Sequence, residues 1–162
     1  MFWETLGEYI WIFIISMVPI VELRGAIPAA AAMGLNPLIY YPVAVLGNML
    51  PVPFIFLFAR KVLVWGADKK IIGKPFTWIL EKGAKAGLKL QKNGSAGLFM
   101  GLLLFVGIPL PGTGAWTGTL AASILNMKFK HASWAVMLGV LLAGIIMSVG
   151  SQAVVWIVGL FG

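Results

Sequence analysis

The sequence has no cysteine, one histidine, and five acidic residues against twelve basic ones, so it is short of the groups on which most protein chemistry depends. Without a thiol there is no disulfide framework and no thiolate nucleophile, and thiol usage says nothing about redox compartment. His131 has no serine or paired carboxylates spaced to work with it, which leaves acid–base and nucleophilic catalysis without their usual parts. No spacing of His, Asp or Glu reads as a metal site. The expectation is a protein that is not an enzyme and uses no cofactor and no metal. Charge of either sign is also scarce: 10% of the 162 residues are charged, 60% are hydrophobic, and the apolar residues fall in long runs rather than amphipathic stripes. Such a chain belongs in a bilayer. At roughly 20 residues per crossing it has room for a few spans and no soluble domain. We therefore expect 1–162 to be one all-α integral membrane domain, multi-pass, in the cell membrane of a prokaryote. Residues 1–31 have the apolar core of a signal peptide, but Glu4 and Glu8 stand where a signal carries Lys or Arg, and that reading is rejected.

The net charge of +7 does not point to nucleic acid. Nine of the twelve basic residues lie between Arg60 and Lys92, beside hydrophobic segments, where positive-inside bias collects them. Within this linker, 61–94, the residues Phe76, Ile79, Leu80, Gly83, Ala84, Gly87 and Leu88 recur at helical spacing. Lys82, Lys85, Lys89 and Lys92 share the opposite side. The pattern predicts a basic interfacial helix with Pro75 in its first turn and its lysines set to meet anionic membrane lipids; a solvated linker helix fits the same pattern.

The linker separates two similar halves, 1–60 and 95–162. Pro19 followed by Leu35-Asn36 is matched by Pro109 followed by Leu125-Asn126, and Ala30 to Ala32 by Ala121 to Ser123. The register then slips by two, after which Val45-Leu46-Gly47 matches Met137-Leu138-Gly139. Two arrangements compete. Four plain spans, 9–33, 37–59, 96–126 and 132–160, leave Lys128, Lys130 and His131 on the face opposite the linker. In the other, 9–35 and 96–126 are re-entrant helical hairpins, only 37–59 and 132–160 cross, every basic loop is cytoplasmic, and the halves are inverted repeats. The second is preferred. Pro19, Pro28, Pro109 and Pro111 remove backbone donors at the broken centres, and Gly112 and Gly114 loosen the chain where it reverses. A kinked plain helix is the alternative.

Glu22 and Arg24, in Val-Pro-Ile-Val-Glu-Leu-Arg-Gly-Ala-Ile-Pro (18–28), are the candidates for function, because an ionisable side chain at mid-membrane costs roughly 2.5–3.5 kcal/mol and a plain span has no use for two. In the hairpin arrangement the second limbs start near Val21 to Arg24 and Thr113 to Ala115, and helix N-termini carry unpaired amides and partial positive charge. Two facing ends suit an anion. Arg24 adds a fork for phosphate or carboxylate, Gly25, Gly112 and Gly114 allow close approach, Thr113 caps its limb with Thr117 one turn on, and Glu22 exchanges protons. Plainer roles stand beside these. Glu22 and Arg24 can pair with each other and only lock the hairpin. Trp116 can stack on a substrate, but packing or anchoring, as at Trp3, Trp11 and Trp156, is the better expectation. Gly97 and Gly101 form a small-residue face that serves a homo-oligomer or close packing within one chain, and His131 is expected to be solvated.

The segments Glu22-Leu-Arg-Gly-Ala-Ile-Pro28 and Pro109-Leu-Pro-Gly-Thr-Gly-Ala-Trp-Thr-Gly118 resemble the two signature segments of the small multidrug export protein family, and the resemblance spans nearly the whole chain. That family is similar, more distantly, to the DedA and VTT-domain membrane proteins, whose two re-entrant hairpins face each other. The resemblance implies drug export by the family's name, and movement of lipids, including polyprenyl phosphate carriers, by the DedA relatives. This sequence lacks the Arg that DedA proteins carry in the second hairpin. The expected function is a small transporter that binds an anionic or amphipathic substrate at mid-membrane with proton coupling. The alternatives are a lipid-phosphate flippase and a non-transporting scaffold or assembly subunit.

Overall fold

Proline and glycine set where the helices begin and end, and they do so twice. The computed structural model describes residues 2–69 and 94–161, with Lys74, Thr77 and Glu81 between them, and every element among the described residues is α-helical. In the first half α1 (Phe2–Met17) ends at a tip, 18–21, around Pro19, and α2 (Glu22–Ala32) follows. Gly34 closes α2. Its φ of +71° lets Leu35 N–H reach Ala30 O (3.1 Å) while Gly34 N–H reaches Ala31 O (3.0 Å), the two bonds of a Schellman motif. Asn36 then caps α3 (Pro37–Met49), its side chain accepting from Leu38 N–H (3.0 Å), with Pro37 in the first turn. Pro51 and Pro53 donate no hydrogen bond, and the chain continues past them as α4 (Val52–Ala67).

The second half repeats the order as α5 (Gly94–Gly107), a tip at 108–114, α6 (Ala115–Ile124) and α7 (Phe129–Phe161). Asn126, at φ +58°, closes α6 as Gly34 closes α2, with Met127 N–H on Ala122 O (3.1 Å) and Asn126 N–H on Ser123 O (3.3 Å). The asparagines matched in the sequence therefore differ in role: Asn36 starts a helix and Asn126 ends one. The register slip falls earlier than the sequence match put it, at the tip, where 108–114 is longer than 18–21.

Each broken pair doubles back on itself. Asn36 N–H donates to Tyr9 Oη (3.3 Å), so the chain beyond α2 has returned to the middle of α1, and Gly118 of α6 lies against Leu102, Phe105 and Val106 of α5. The long helices pack on these pairs through matched glycines. A Cβ on Gly47 of α3 would strike Phe13 O and Ser16 of α1, and one on Gly139 of α7 would meet Val106 (2.7 Å) and Leu103 O (2.8 Å) of α5. Close backbone approach of this kind holds helices together in lipid, where burying apolar surface between helices gains little. The core is correspondingly small: Ala26, Ala30, Ala44, Ala122 and Ala135 are fully buried, with Ile12, Ile27, Tyr40 and Val136 among them.

α3 and α7 run antiparallel, since Gln152 Nε2 donates to Tyr40 Oη (3.2 Å) and Tyr41 Oη to Leu141 O (3.0 Å), while Asn48 lies near Val140 and Ala143. The 31 residues Pro37–Ala67 and the 32 of Phe129–Leu160 are each long and apolar enough to cross a bilayer. Large apolar side chains such as Leu46, Phe54, Phe58, Trp134, Val149 and Trp156 are exposed along them, as lipid-facing surfaces require. Tyr9, Asn36 and Gln152 lie toward one end. Lys61 and Lys128 line one groove at the other, beside Trp65 and Met127. Lys128 thus shares a groove with Lys61, the first residue of the linker. The basic helix expected over Pro75 to Lys92 lies outside the described residues except for Thr77 and Glu81, which are helical and exposed.

Single cysteines in this cysteine-free chain read the two ends directly. At Lys61 and Lys128 they are expected to react with a membrane-impermeant maleimide from the same side of sealed vesicles, and at Asn36 from the other. Labelling of 61 and 128 from opposite sides overturns this layout.

Candidate functional site

Breaking a helix inside an apolar bundle leaves its last carbonyls and the next helix's first amides without partners. The two tips partner each other. Arg24, in the first turn of α2, gathers the carbonyls where α5 runs out: its guanidinium donates to Leu110 O, to Val106 O and Ile108 O (3.4 Å each), and to Thr113 Oγ1 (2.7 Å). A cation there also faces the negative end of the α5 dipole. α6 begins after Gly114 with no side-chain cap from its own segment. Its first amides are taken by Glu22, whose Oε2 accepts from Ala115 N–H (3.2 Å) and Oε1 from Trp116 N–H (2.9 Å), an anion on the positive end of the α6 dipole.

A third bond runs the other way. Trp116 Nε1 donates to Met17 O (3.0 Å), the last carbonyl of α1. Arg24 lies ten residues before Gly34 and Trp116 ten before Asn126, so the two hold equivalent positions, each reaching the end of the opposite pair's first limb. The indole holds in the second half the position that the guanidinium of Arg24 holds in the first.

Several expectations change here. Glu22 and Arg24 do not lock onto each other, because their hydrogen-bond partners lie in the second tip. Thr113 does not cap α6; its hydroxyl accepts from Arg24 and lies 3.0 Å from Ile108 O and 2.9 Å from Leu110 O. Two open helix N-termini are not present. The tip before α2 is a turn that already pairs amides there, Glu22 N–H on Val18 O (3.0 Å) and Gly25 N–H on Val21 O (2.9 Å), and the start of α6 is occupied by Glu22. Trp116 does more than pack.

Glu22 adopts φ +48° while only 5% exposed. A left-handed backbone costs a residue with a Cβ about 1–2 kcal/mol, and hydrogen bonds to a charged group contribute about 1.5–3 kcal/mol each, so the two amide bonds outweigh the strain. Gly114, at φ +150°, is where the carboxylate rests: a Cβ there would lie 2.7 Å from Glu22 Cδ.

Beside this seam is a cavity of about 840 Å³. Nine of the twelve candidate residues line it: Pro19, Glu22, Arg24, Pro109, Pro111, Gly112, Thr113, Trp116 and Thr117. Gly25 presses on Val21 in the first turn of α2, Pro28 lies further along α2, and Gly114 sits under the Glu22 carboxylate. The opposite wall comes from α4, through Ile55, Phe58, Ala59 and Val62, with Leu120 and Met147 added. Those four α4 positions form one helical stripe, a spacing readable in the sequence, but it does not say what the stripe faces. The wall is apolar except at the seam. No group of His, Asp and Glu able to hold a metal occurs among the described residues.

Gly114→Ala is expected to lower stability by about 2 kcal/mol, since it adds backbone strain and displaces the carboxylate. Gly101→Ala, into open space, should stay within about 0.5 kcal/mol. Unfolding in detergent compares them, and equal effects would remove the Gly114–Glu22 contact from the account.

The family model described as "Putative small multi-drug export protein" matches residues 22–146, which begin at Glu22 and take in the whole second tip and the matched glycines. Neither a curated protein nor a solved structure matches the chain. With well over half its length matched, and with both bonded segments inside the match, the chain belongs to the small multi-drug export protein family.

Proposed function

We propose that this protein is a small secondary transporter of the cell membrane that moves an amphipathic substrate through the cavity beside the joined tips, with proton coupling at Glu22. In this reading the two broken pairs are re-entrant hairpins that enter from opposite faces, as inverted repeats do, and their tips meet at mid-membrane. The observation that carries it is the cavity of about 840 Å³ with one charged wall, Glu22 and Arg24, and one apolar wall from α4. Arg24 and the α6 amides are already engaged, so an anionic group reaches them only by displacing a carbonyl or Glu22. As it stands, the cavity suits a largely apolar molecule with one small polar end. Glu22 holds the seam as an acceptor from two amides; a proton on it takes one acceptor position away and loosens the seam. Proton occupancy and access to the cavity are then linked.

Two specific observations favour other readings. Phe58 and Val62 on the α4 wall are exposed, which favours a membrane amphiphile as the cargo and, among these, a lipid phosphate of the kind moved by DedA-type flippases. The saturated bonding of Glu22 and Arg24 favours a scaffold or assembly subunit in which the seam only holds helices together.

Proteoliposomes test all three. Under an imposed pH gradient the wild type should move an amphipathic dye, Glu22→Gln should fold but not respond to the gradient, and Ala59→Trp, which fills the cavity, should reduce movement to background. Gradient-driven movement retained by Glu22→Gln removes the carboxyl from the mechanism. Flipping of a labelled lipid phosphate in the same vesicles would make that lipid the cargo. No transport of either, with stability lost in the Glu22→Gln, Arg24→Gln double variant, leaves the scaffold.

A further inference from the structure

Three buried side-chain oxygens among the described residues have no hydrogen-bond partner: Asn48 Oδ1, Thr119 Oγ1 and Ser148 Oγ. A hydroxyl can turn its proton toward a carbonyl one helical turn back, but an amide oxygen only accepts and must be given a hydrogen. Asn48, on α3, is 2% exposed. It borders a small void together with Glu22, Arg24, Gly114 and Ala115, and the void has no room for a water molecule. Its missing hydrogen has to come from a neighbouring side chain. Glu22 stands between this void and the open cavity, since it lines both.

We propose that Glu22 and Asn48 together form a buried proton-binding site. A proton arriving from the cavity adds to one carboxylate oxygen of Glu22, and the O–H so formed donates to Asn48 Oδ1. No covalent bond breaks; the protonated oxygen gives up its place as acceptor, so one amide of the α6 N-terminus, Ala115 or Trp116, is released. In the ionised form the carboxylate is satisfied and Asn48 is not. In the protonated form Asn48 is satisfied and the seam has lost a bond. The charged group facing Glu22 is Arg24 of its own helix. From the other packed elements come the Thr113 hydroxyl and the two α6 amides, Val106 of α5, Val140 and Ala143 of α7, and the apolar α4 wall, none of which titrates. The use of this site in transport rests on the function proposed above, but its existence is measurable without transport.

Glu22→Gln mimics the protonated acid, because the amide keeps one acceptor and offers a donor to Asn48. The test is a double-mutant cycle in detergent at neutral pH with Glu22→Gln, Asn48→Leu and the pair. Asn48→Leu is expected to shift the unfolding equilibrium about fivefold further in the Glu22→Gln background than in the wild type, the size of one ordinary hydrogen bond. Equal shifts in both backgrounds give Asn48 a packing role and overturn the site. A larger shift in the wild type also overturns it, since the Asn48 amide N–H would then be donating to the carboxylate. Should Asn48→Leu not fold, Asn48→Thr and acid-minus-alkaline infrared difference spectra decide: a carboxylic C=O band absent from Glu22→Gln should move in Asn48→Thr, and an unmoved band excludes the contact. A failed cycle with intact transport removes Asn48 alone, and an intact cycle without transport removes only the transporter.

Discussion

The constraint on which the rest depends is that a helix interrupted inside an apolar bundle must find partners for the polar backbone at both edges of the break. Here the edges of the second break are the carbonyls after α5 and the amides that open α6, and one short segment of the first half supplies both partners. Glu22 and Arg24 are two residues apart in the first turn of α2, and they reach opposite edges of the same gap. The acid meets the positive end of one helix and the base the negative end of another. Each charge thus meets a backbone dipole as well as the field of the other. This accounts for why two ionisable groups stand so close in an otherwise apolar stretch without forming a pair.

The halves share this logic but divide it unequally. Arg24 and Trp116, at equivalent positions, both donate to terminal carbonyls across the seam. Glu22 has no such counterpart. The residue at its position in the second half, twelve before Asn126 as Glu22 is twelve before Gly34, is Gly114, whose missing side chain makes the space the carboxylate fills. A second carboxylate there would put like charges in contact in a low dielectric, which is strongly unfavourable. The asymmetry follows from meeting at one point: what one tip inserts, the other must leave out.

The breaks were legible in the sequence because proline and glycine act on their own backbone. Pro19, Pro109 and Pro111 lie at the tips where expected, and the matched glycines Gly47 and Gly139 make the same contact in each half. What failed to show was direction. A side chain that donates to a distant carbonyl leaves no mark in composition or period, so Arg24 read as a free fork and Trp116 as packing, although one holds the α5 end and the other Met17. The asparagine match misled because Asn suits both a helix start and a left-handed helix end, and Asn36 and Asn126 use different properties of the same residue type. The α4 stripe was visible as spacing alone. Asn48 was not singled out at all, since one polar residue in a long apolar helix has meaning only through what lies beside it.

A seam made this way resists drifting open. Pulling Glu22 from α6 bares two amides and a carboxylate, and withdrawing Arg24 bares several carbonyls. Each buried polar group left unpaired costs on the order of 1–3 kcal/mol, and more where charge is involved. Separation needs something to take up the released groups, and the neighbouring apolar side chains cannot. Water admitted to the cavity, a proton on the carboxyl, or the polar end of a molecule in the cavity can each do so, and all three reach the seam from the same open side. In the function proposed above, closure consists of hydrogen bonds that only a polar visitor can replace, so the requirement that keeps the broken helices intact also ties their parting to the arrival of that visitor.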